Sequence, residues 1–244
     1  TQAPAWPKAP AGGFAVAGKS EARSDTVSIV TVDEDSVGEG AKSSSEDGEN
    51  PIAGHIARVR SACQALLQNA TMLNDLDKIV GDGDTGTTMQ RGATDVLNTL
   101  DDSVLMSTCR SPARLCAIVA ASLRKNMGGS SGAILDIMLH TAAASLGQGR
   151  TMREALGDAV DKASFYGGAK PGFCTMLDAL FPAAEVAQGN GDLTAIAAAA
   201  EAGAEATKAM GAKAGRSSYL ASTEGHADPG AVAMAIAFRA MCNL

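Results

Sequence analysis

Aromatic side chains are scarce: five Phe, two Tyr and one Trp make up 3% of the 244 residues. Stacked sheets draw heavily on aromatic and β-branched residues for their cores. Here Leu, Ala, Val, Ile and Met must fill the core, which favours packed helices over a sandwich. No run of eighteen apolar residues occurs, so no membrane span and no membrane partner are expected. Cysteine pairing has no frame either. Cys63, Cys109, Cys116, Cys174 and Cys242 are odd in number, scattered and without a CxxC, as buried thiols in a reducing compartment would be. His55, His140 and His226 are too dispersed for a zinc site. Clustered positive charge is missing: 20 Lys and Arg stand against 27 Asp and Glu, a net charge of −7 with no basic stripe. Nucleic acid is therefore not expected as a partner. No basic-then-apolar leader opens the chain, and its first residue is Thr1 rather than Met. A cytoplasmic location and a piece of a longer chain are the expectations.

What is present is concentrated in one stretch, Leu73 to Thr88. Asp77, Asp82 and Asp84 fall within eight residues, with Gly81, Gly83 and Gly86 between and after them. A glycine-rich turn can aim several carboxylates at one point, and oxygen donors in that number suit a hard cation such as Mg²⁺ or Ca²⁺. Thr85, Gly86, Thr87 and Thr88 lead into an apolar periodic pattern, so the loop feeds a helix N-terminus, where a phosphate sits well. Asp/Gly clusters are also ordinary turn chemistry, and the pattern alone leaves that reading open. An EF-hand does not fit: position twelve from Asp77 is Thr88, where the calcium loop needs Glu.

The chain divides near residue 50. Residues 1–50 carry nine Asp/Glu against four Lys/Arg and are rich in Pro, Gly and Ser. So polar a segment cannot bury enough surface to offset its chain entropy, which marks a linker. Within it only Thr26 to Val32 has the β-branched alternation of a strand. From residue 51 to 244 the pattern is helical, with eight helices expected and no further strand. Ile52, Ile56, Val59, Cys63, Leu66 and Leu67 share one face, and Met89, Ala93, Val96, Leu97 and Leu100 another. Ser111-Pro112 is a cap followed by Pro at the first helical position. Ser130 to Leu146 reads as a fourth helix, with Ile134, Ile137, Met138 and Thr141 inward. Thr151-Met152-Arg153-Glu154 is a capping box. A sixth helix is expected from Thr175 to Ala187, a seventh from Asp192 to Met210, and an eighth from Asp228-Pro229.

Gly128-Gly129-Ser130-Ser131-Gly132 joins two of these helices. Its amides and hydroxyls can cradle phosphate oxygens, or it can be a Gly C-cap followed by a Ser N-cap. It is no Walker A loop, because no Lys-Ser/Thr pair follows the glycines.

Four ordered stretches together resemble the L domain of dihydroxyacetone (glycerone) kinases. They are the Asp loop, Met127 to Ala133, Pro171-Gly172 with Thr175 to Leu180, and Gly215 to Leu220 with Asp228-Pro229-Gly230-Ala231. The opening Ala3-Pro4-Ala5-Trp6-Pro7 is similar to the end of the family's substrate-holding K domain.

The resemblance implies an all-α, eight-helix up-and-down barrel with a nucleotide site in the loops at one end. It implies ATP or ADP and two Mg²⁺ ions. Asp77, Asp82 and Asp84 are the implied metal ligands and catalytic residues. Asp84, Thr85, Gly86, Thr87, Thr88, Gly129, Ser130, Ser131, Gly172, Thr175, Met176, Asp228, Pro229 and Gly230 are implied around the nucleotide. Asp178 is expected to order helix ends, and Arg216 is a candidate phosphate contact.

Two departures stand out: Thr85 where many bacterial members have His, and Cys174 where some members have Arg. The implied reaction moves the ATP γ-phosphate to dihydroxyacetone, or glyceraldehyde, held by a K domain in the same or another chain, with a homodimer of the full-length protein. Two alternatives stay open: a subunit that keeps ADP and is recharged by a phosphotransferase partner, and a nucleotide-binding regulator without catalysis. An FMN cyclase side activity is also undecided.

Overall fold

The computed structural model describes residues 52–214 and 225–242 of the chain. The linker at 1–50, the strand expected at 26–32, and residues 215–220 with Arg216 lie outside those residues. Every regular element among the described residues is a helix. In chain order they are α1 (Ala53–Gln68), α2 (Ala70–Val80), α3 (Thr85–Asp101), α4 (Ser103–Ser107), α5 (Pro112–Asn126), α6 (Gly129–Gly147), α7 (Met152–Gly167), α8 (Leu177–Gln188), α9 (Leu193–Ala206) and α10 (Pro229–Cys242). A single 3₁₀ turn, Thr207–Ala209, follows α9.

Short polar side chains set half of the ten helix starts among the described residues. Ser111 Oγ accepts from the Arg114 amide at 3.2 Å, ahead of Pro112. Thr151 and Glu154 form the expected reciprocal box, with the Thr151 amide donating to Glu154 Oε2 at 2.8 Å. Asp192 Oδ1 accepts from Ala195 N at 2.7 Å, and Asp228 Oδ2 from Ala231 N at 2.7 Å. Each satisfies an amide that the first helical turn leaves without a carbonyl.

Eight of the helices close into a ring. Each of α1, α3, α5, α6, α7, α8, α9 and α10 packs on the next, and α10 returns to α1. Alanines and glycines let the backbones approach, most visibly at α8 and α9. There Ala179, Ala183, Ala187, Ala197, Ala200 and Gly203 are all buried. Met89, Val96, Leu115, Leu123, Met127, Val160, Leu177 and Leu180 fill the space between.

The eight-helix barrel is thus present, but the described residues hold ten helices, not eight. The long first helix is broken at Asn69, whose side chain donates to Ala65 O at 2.8 Å, and resumes as α2. The five-residue α4 is capped by Asp102, which accepts from Val104 N and Leu105 N at 3.0 Å. Two bounds also move. The sixth expected helix opens at Leu177 rather than Thr175, and the seventh ends as an α-helix at Ala206 before the 3₁₀ turn. No helix among the described residues is long and apolar enough to cross a membrane.

Candidate functional site

In an up-and-down ring, alternate connections share one end. The connections leading into α3, α6, α8 and α10 therefore meet, and the first residues of all four helices line one cleft of about 530 Å³. Helix N-termini present unpaired amides and partial positive charge, so four of them converging favour a polyanion.

Asp77, on the last turn of α2, is 5% exposed. Its Oδ2 accepts from the amides of Asp84 at 2.8 Å and Thr85 at 3.0 Å, tying the loop to the start of α3. One carboxylate oxygen from each of Asp77, Asp82 and Asp84 lies within 4.8 Å of the others. Three hard oxygen donors at that spacing, two of them exposed, fit a Mg²⁺-type cation that keeps part of its water shell. Asn74 braces the same junction: its Oδ1 accepts from Thr87 N at 2.9 Å, and its Nδ2 donates to Thr87 Oγ1 at 3.0 Å. Gly86 is needed for close approach, since a Cβ there would lie 1.8 Å from Ala70 O on α2. Gly86 and Thr87 thus face α2, whereas Thr85 and Thr88 line the cleft.

Between α5 and α6 the backbone turns through Gly128 (φ 67°) and Gly129 (φ 65°), a left-handed conformation that glycine adopts without steric cost. Neither serine is an N-cap, as the purely structural reading of this turn required. Gly128 holds the cap position, and Ser130 and Ser131 sit in the first turn of α6. Both line the cleft, and neither hydroxyl bonds to another described residue.

Before α8, Asp178 orders the turn as expected. Its carboxylate accepts from Gly172 N at 2.6 Å and Thr175 N at 2.8 Å. Gly172 is spent on that turn and lies outside the cleft lining, while Thr175 and Met176 are in it. Cys174 also lines the cleft, with φ at 60°, and burial raises its thiol to about 11. Asp228, Pro229 and Gly230 close the fourth side from α10. Burial, opposed by the Ala231 amide and reinforced by Asp178 and Asp77, raises the Asp228 carboxyl to about 7.

Sequence reasoning missed Arg91, Ile134 and Ile137 as lining residues, and also Tyr166 at the rim. Tyr166 is 57% and Phe165 77% exposed, with their rings edge to face at 5.2 Å. Two adjacent aromatics in so aromatic-poor a chain, just before Gly167-Gly168, were the available signal. His226 is exposed and does not line the cleft.

A family model described as the DAK2 domain matches residues 79–243. The chain belongs to the DAK2-domain family. The resemblance carried by the four motifs is borne out by relatives. A dihydroxyacetone kinase from Citrobacter freundii is 40% identical over 197 residues, covering 79% of this chain and 35% of the relative. A human triokinase/FMN cyclase is 40% identical over 195 residues, covering 75% and 33%. A crystal structure of the dihydroxyacetone kinase from C. freundii in complex with AMP-PNP and Mg²⁺ superposes with a TM-score of 0.67 at 33% identity. It covers 84% of this chain and 36% of that one. This DAK2-domain chain therefore spans about a third of the length of the relatives it matches.

Proposed function

We propose that this DAK2 domain is the ATP-binding part of a kinase that phosphorylates dihydroxyacetone, or a close relative such as glyceraldehyde, held by a separate K domain. The observation that carries the reading is the convergence of three carboxylates and four helix N-termini on one cleft. Few ligands other than a metal-bound polyphosphate call for both. Support comes from the relative solved with AMP-PNP and Mg²⁺.

Asp77, Asp82 and Asp84 are the residues that would hold two Mg²⁺ ions, which when bound neutralise the phosphates and polarise the transferred group. The chain's own part is positioning. Amides of the first turns of α3 and α6, with the hydroxyls of Thr85, Thr88, Ser130 and Ser131, orient phosphate oxygens. Ile134, Ile137, Met176 and Leu177 supply an apolar wall for the base. No histidine among the described residues lines the cleft, which fits a reading in which the K domain holds the carbonyl acceptor. In this reading residues 1–50 are the interdomain linker, and the full-length protein pairs as a homodimer. The chain alone then binds nucleotide but phosphorylates the sugar poorly.

The test is calorimetry of the 244-residue chain with Mg²⁺ alone, ATP alone and both. A ligand that binds only the folded state raises the melting temperature by mass action. Mg-ATP should raise it well above either component alone; no response to Mg-ATP would sink the reading. Labelled ATP should exchange into the site. Bound ADP that never exchanges would point instead to the phosphotransferase-recharged subunit.

A further inference from the structure

Among the described residues that line the cleft, four are carboxylates, Asp77, Asp82, Asp84 and Asp228, and one is a cation, Arg91. Arg91 stands on α3 one turn beyond Thr88 and is exposed. Its Nη2 donates to Thr88 Oγ1 at 3.1 Å, which holds the guanidinium along the cleft side of the helix. Among the described residues Arg60, Arg124, Arg150 and Arg239 form ion pairs, whereas Arg58, Arg91, Arg110, Arg114 and Arg153 do not, and of the unpaired ones Arg91 is the one that lines the cleft with its four acids. An arginine kept for fold stability spends its donors on the protein, as Arg153 does on the carbonyls of Ala187 and Gly191. One that is steered by a threonine and left unpaired keeps most of its five donors for an anion from outside.

The acidic trio, Asp77 on the last turn of α2 and Asp82 and Asp84 in the loop after it, leads directly into α3, which carries Arg91. In phosphoryl transfer the metal ions bridge the outer phosphates, so the end of the chain nearest the trio is the terminal one. We infer that Arg91 is the residue that grips the terminal phosphate of the bound triphosphate. This rests on the nucleotide reading above and adds to it a specificity-determining residue, one that distinguishes ATP from ADP. When the terminal phosphate moves to an acceptor, the guanidinium faces the oxygens that carry the developing charge. No proton needs to move, because guanidinium stays protonated throughout.

The test is titration calorimetry of Mg-ATP, Mg-ADP and AMP on the parent chain, Arg91→Ala and Arg91→Lys, with ligand-free melts as a control for folding. The side chain is exposed and has no carboxylate partner among the described residues, so all three proteins should melt alike. Arg91→Ala should weaken Mg-ATP binding roughly ten- to a hundredfold, the loss expected for charged hydrogen bonds. Mg-ADP should change by about threefold at most and AMP not at all, as only the terminal group loses its partner. Arg91→Lys should recover part of the loss, because a point charge replaces the planar fork.

Equal weakening of ATP and ADP, or no weakening of either, would overturn the assignment. So would a lower ligand-free melting temperature with unchanged ATP affinity, which would make Arg91 a helix-stabilising residue. A parent chain that binds no Mg-ATP would bring down the nucleotide reading and this assignment together. A parent chain that binds Mg-ATP beside variants without the selective loss removes the assignment alone and leaves the nucleotide reading standing.

Discussion

Asp77 does two things that spacing along the chain does not reveal. Read as a cluster, Asp77, Asp82 and Asp84 are equivalent, each costing the ligand-free fold repulsion and each useful once a cation arrives. The structure separates them. Asp77 is buried and its Oδ2 holds two amides at the start of α3, whereas Asp84 is exposed and caps nothing with its side chain. The neutral amide in Asp77→Asn removes negative charge from a helix N-terminus and weakens two charged hydrogen bonds. It should lower ligand-free stability by about 1 kcal/mol. Asp84→Asn should leave stability unchanged or raise it, because it only relieves like-charge repulsion. Both should lose most of the melting-temperature rise that Mg-ATP gives the parent. Scanning calorimetry of the two variants with and without Mg-ATP checks this. An Asp77→Asn protein as stable as the parent would show that the two amide bonds contribute nothing.

At the level of elements, the cleft depends on how closely α8 and α9 pack. Gly203 of α9 meets the backbone of α8: a Cβ at that position would lie 2.3 Å from Asp178 O, 2.8 Å from Pro182 Cγ and 3.0 Å from Ala179 Cα. These neighbours are mostly backbone or ring atoms and cannot swing aside. Gly203→Ala should therefore force the helices apart and lower stability by about 1–3 kcal/mol, the usual cost of overpacking. The same shift moves Asp178, whose carboxylate orders Gly172 and Thr175 at the cleft. Nucleotide affinity should fall with stability even though Gly203 is not among the lining residues. Urea unfolding with parallel ATP titration tests it, and an unchanged midpoint would mean that α8 and α9 separate at little cost. The element the sequence pattern hid was α2. Ala70 to Val80 continues the helical periodicity of α1, so no change of period announces the break at Asn69. The turn there depends on side-chain and backbone bonds to Ala65 and Leu67, and those bonds show only in three dimensions.

For the whole molecule, ring closure brings together acids from distant parts of the chain. Asp228 opens α10, the helix that completes the ring, and feels Asp178 of α8 and Asp77 of α2. Enclosure and these neighbours raise its carboxyl from the ordinary 3.8 to about 7. Between those values the folded state holds a proton that the unfolded chain has released. Stability therefore falls as pH rises from about 4 to about 7, by about 1.4 kcal/mol per unit at most, and this contribution is flat above that range. In metal-free melts across pH, Asp228→Asn should lack this fall while keeping its cap on Ala231, so the parent and variant curves diverge with rising pH. Parallel curves would mean that Asp228 ionises as it does in the unfolded chain.

Much of the molecule was determined by the sequence alone. The shortage of aromatics and of alternating strands after residue 51, with caps at Ser111, Thr151, Asp192 and Asp228, set the helical character of the described residues. A cap acts within four residues, so local order is enough to read it. The Asp loop was legible for the same reason, since its three acids lie within eight residues. Only the tertiary structure decided that α10 closes on α1, that four helix starts share one cleft, and that Arg91 joins it while Gly86, Thr87 and Gly172 do not. Those outcomes depend on which faces pack across the ring, and contacts separated by more than a hundred residues leave no periodic mark along the chain.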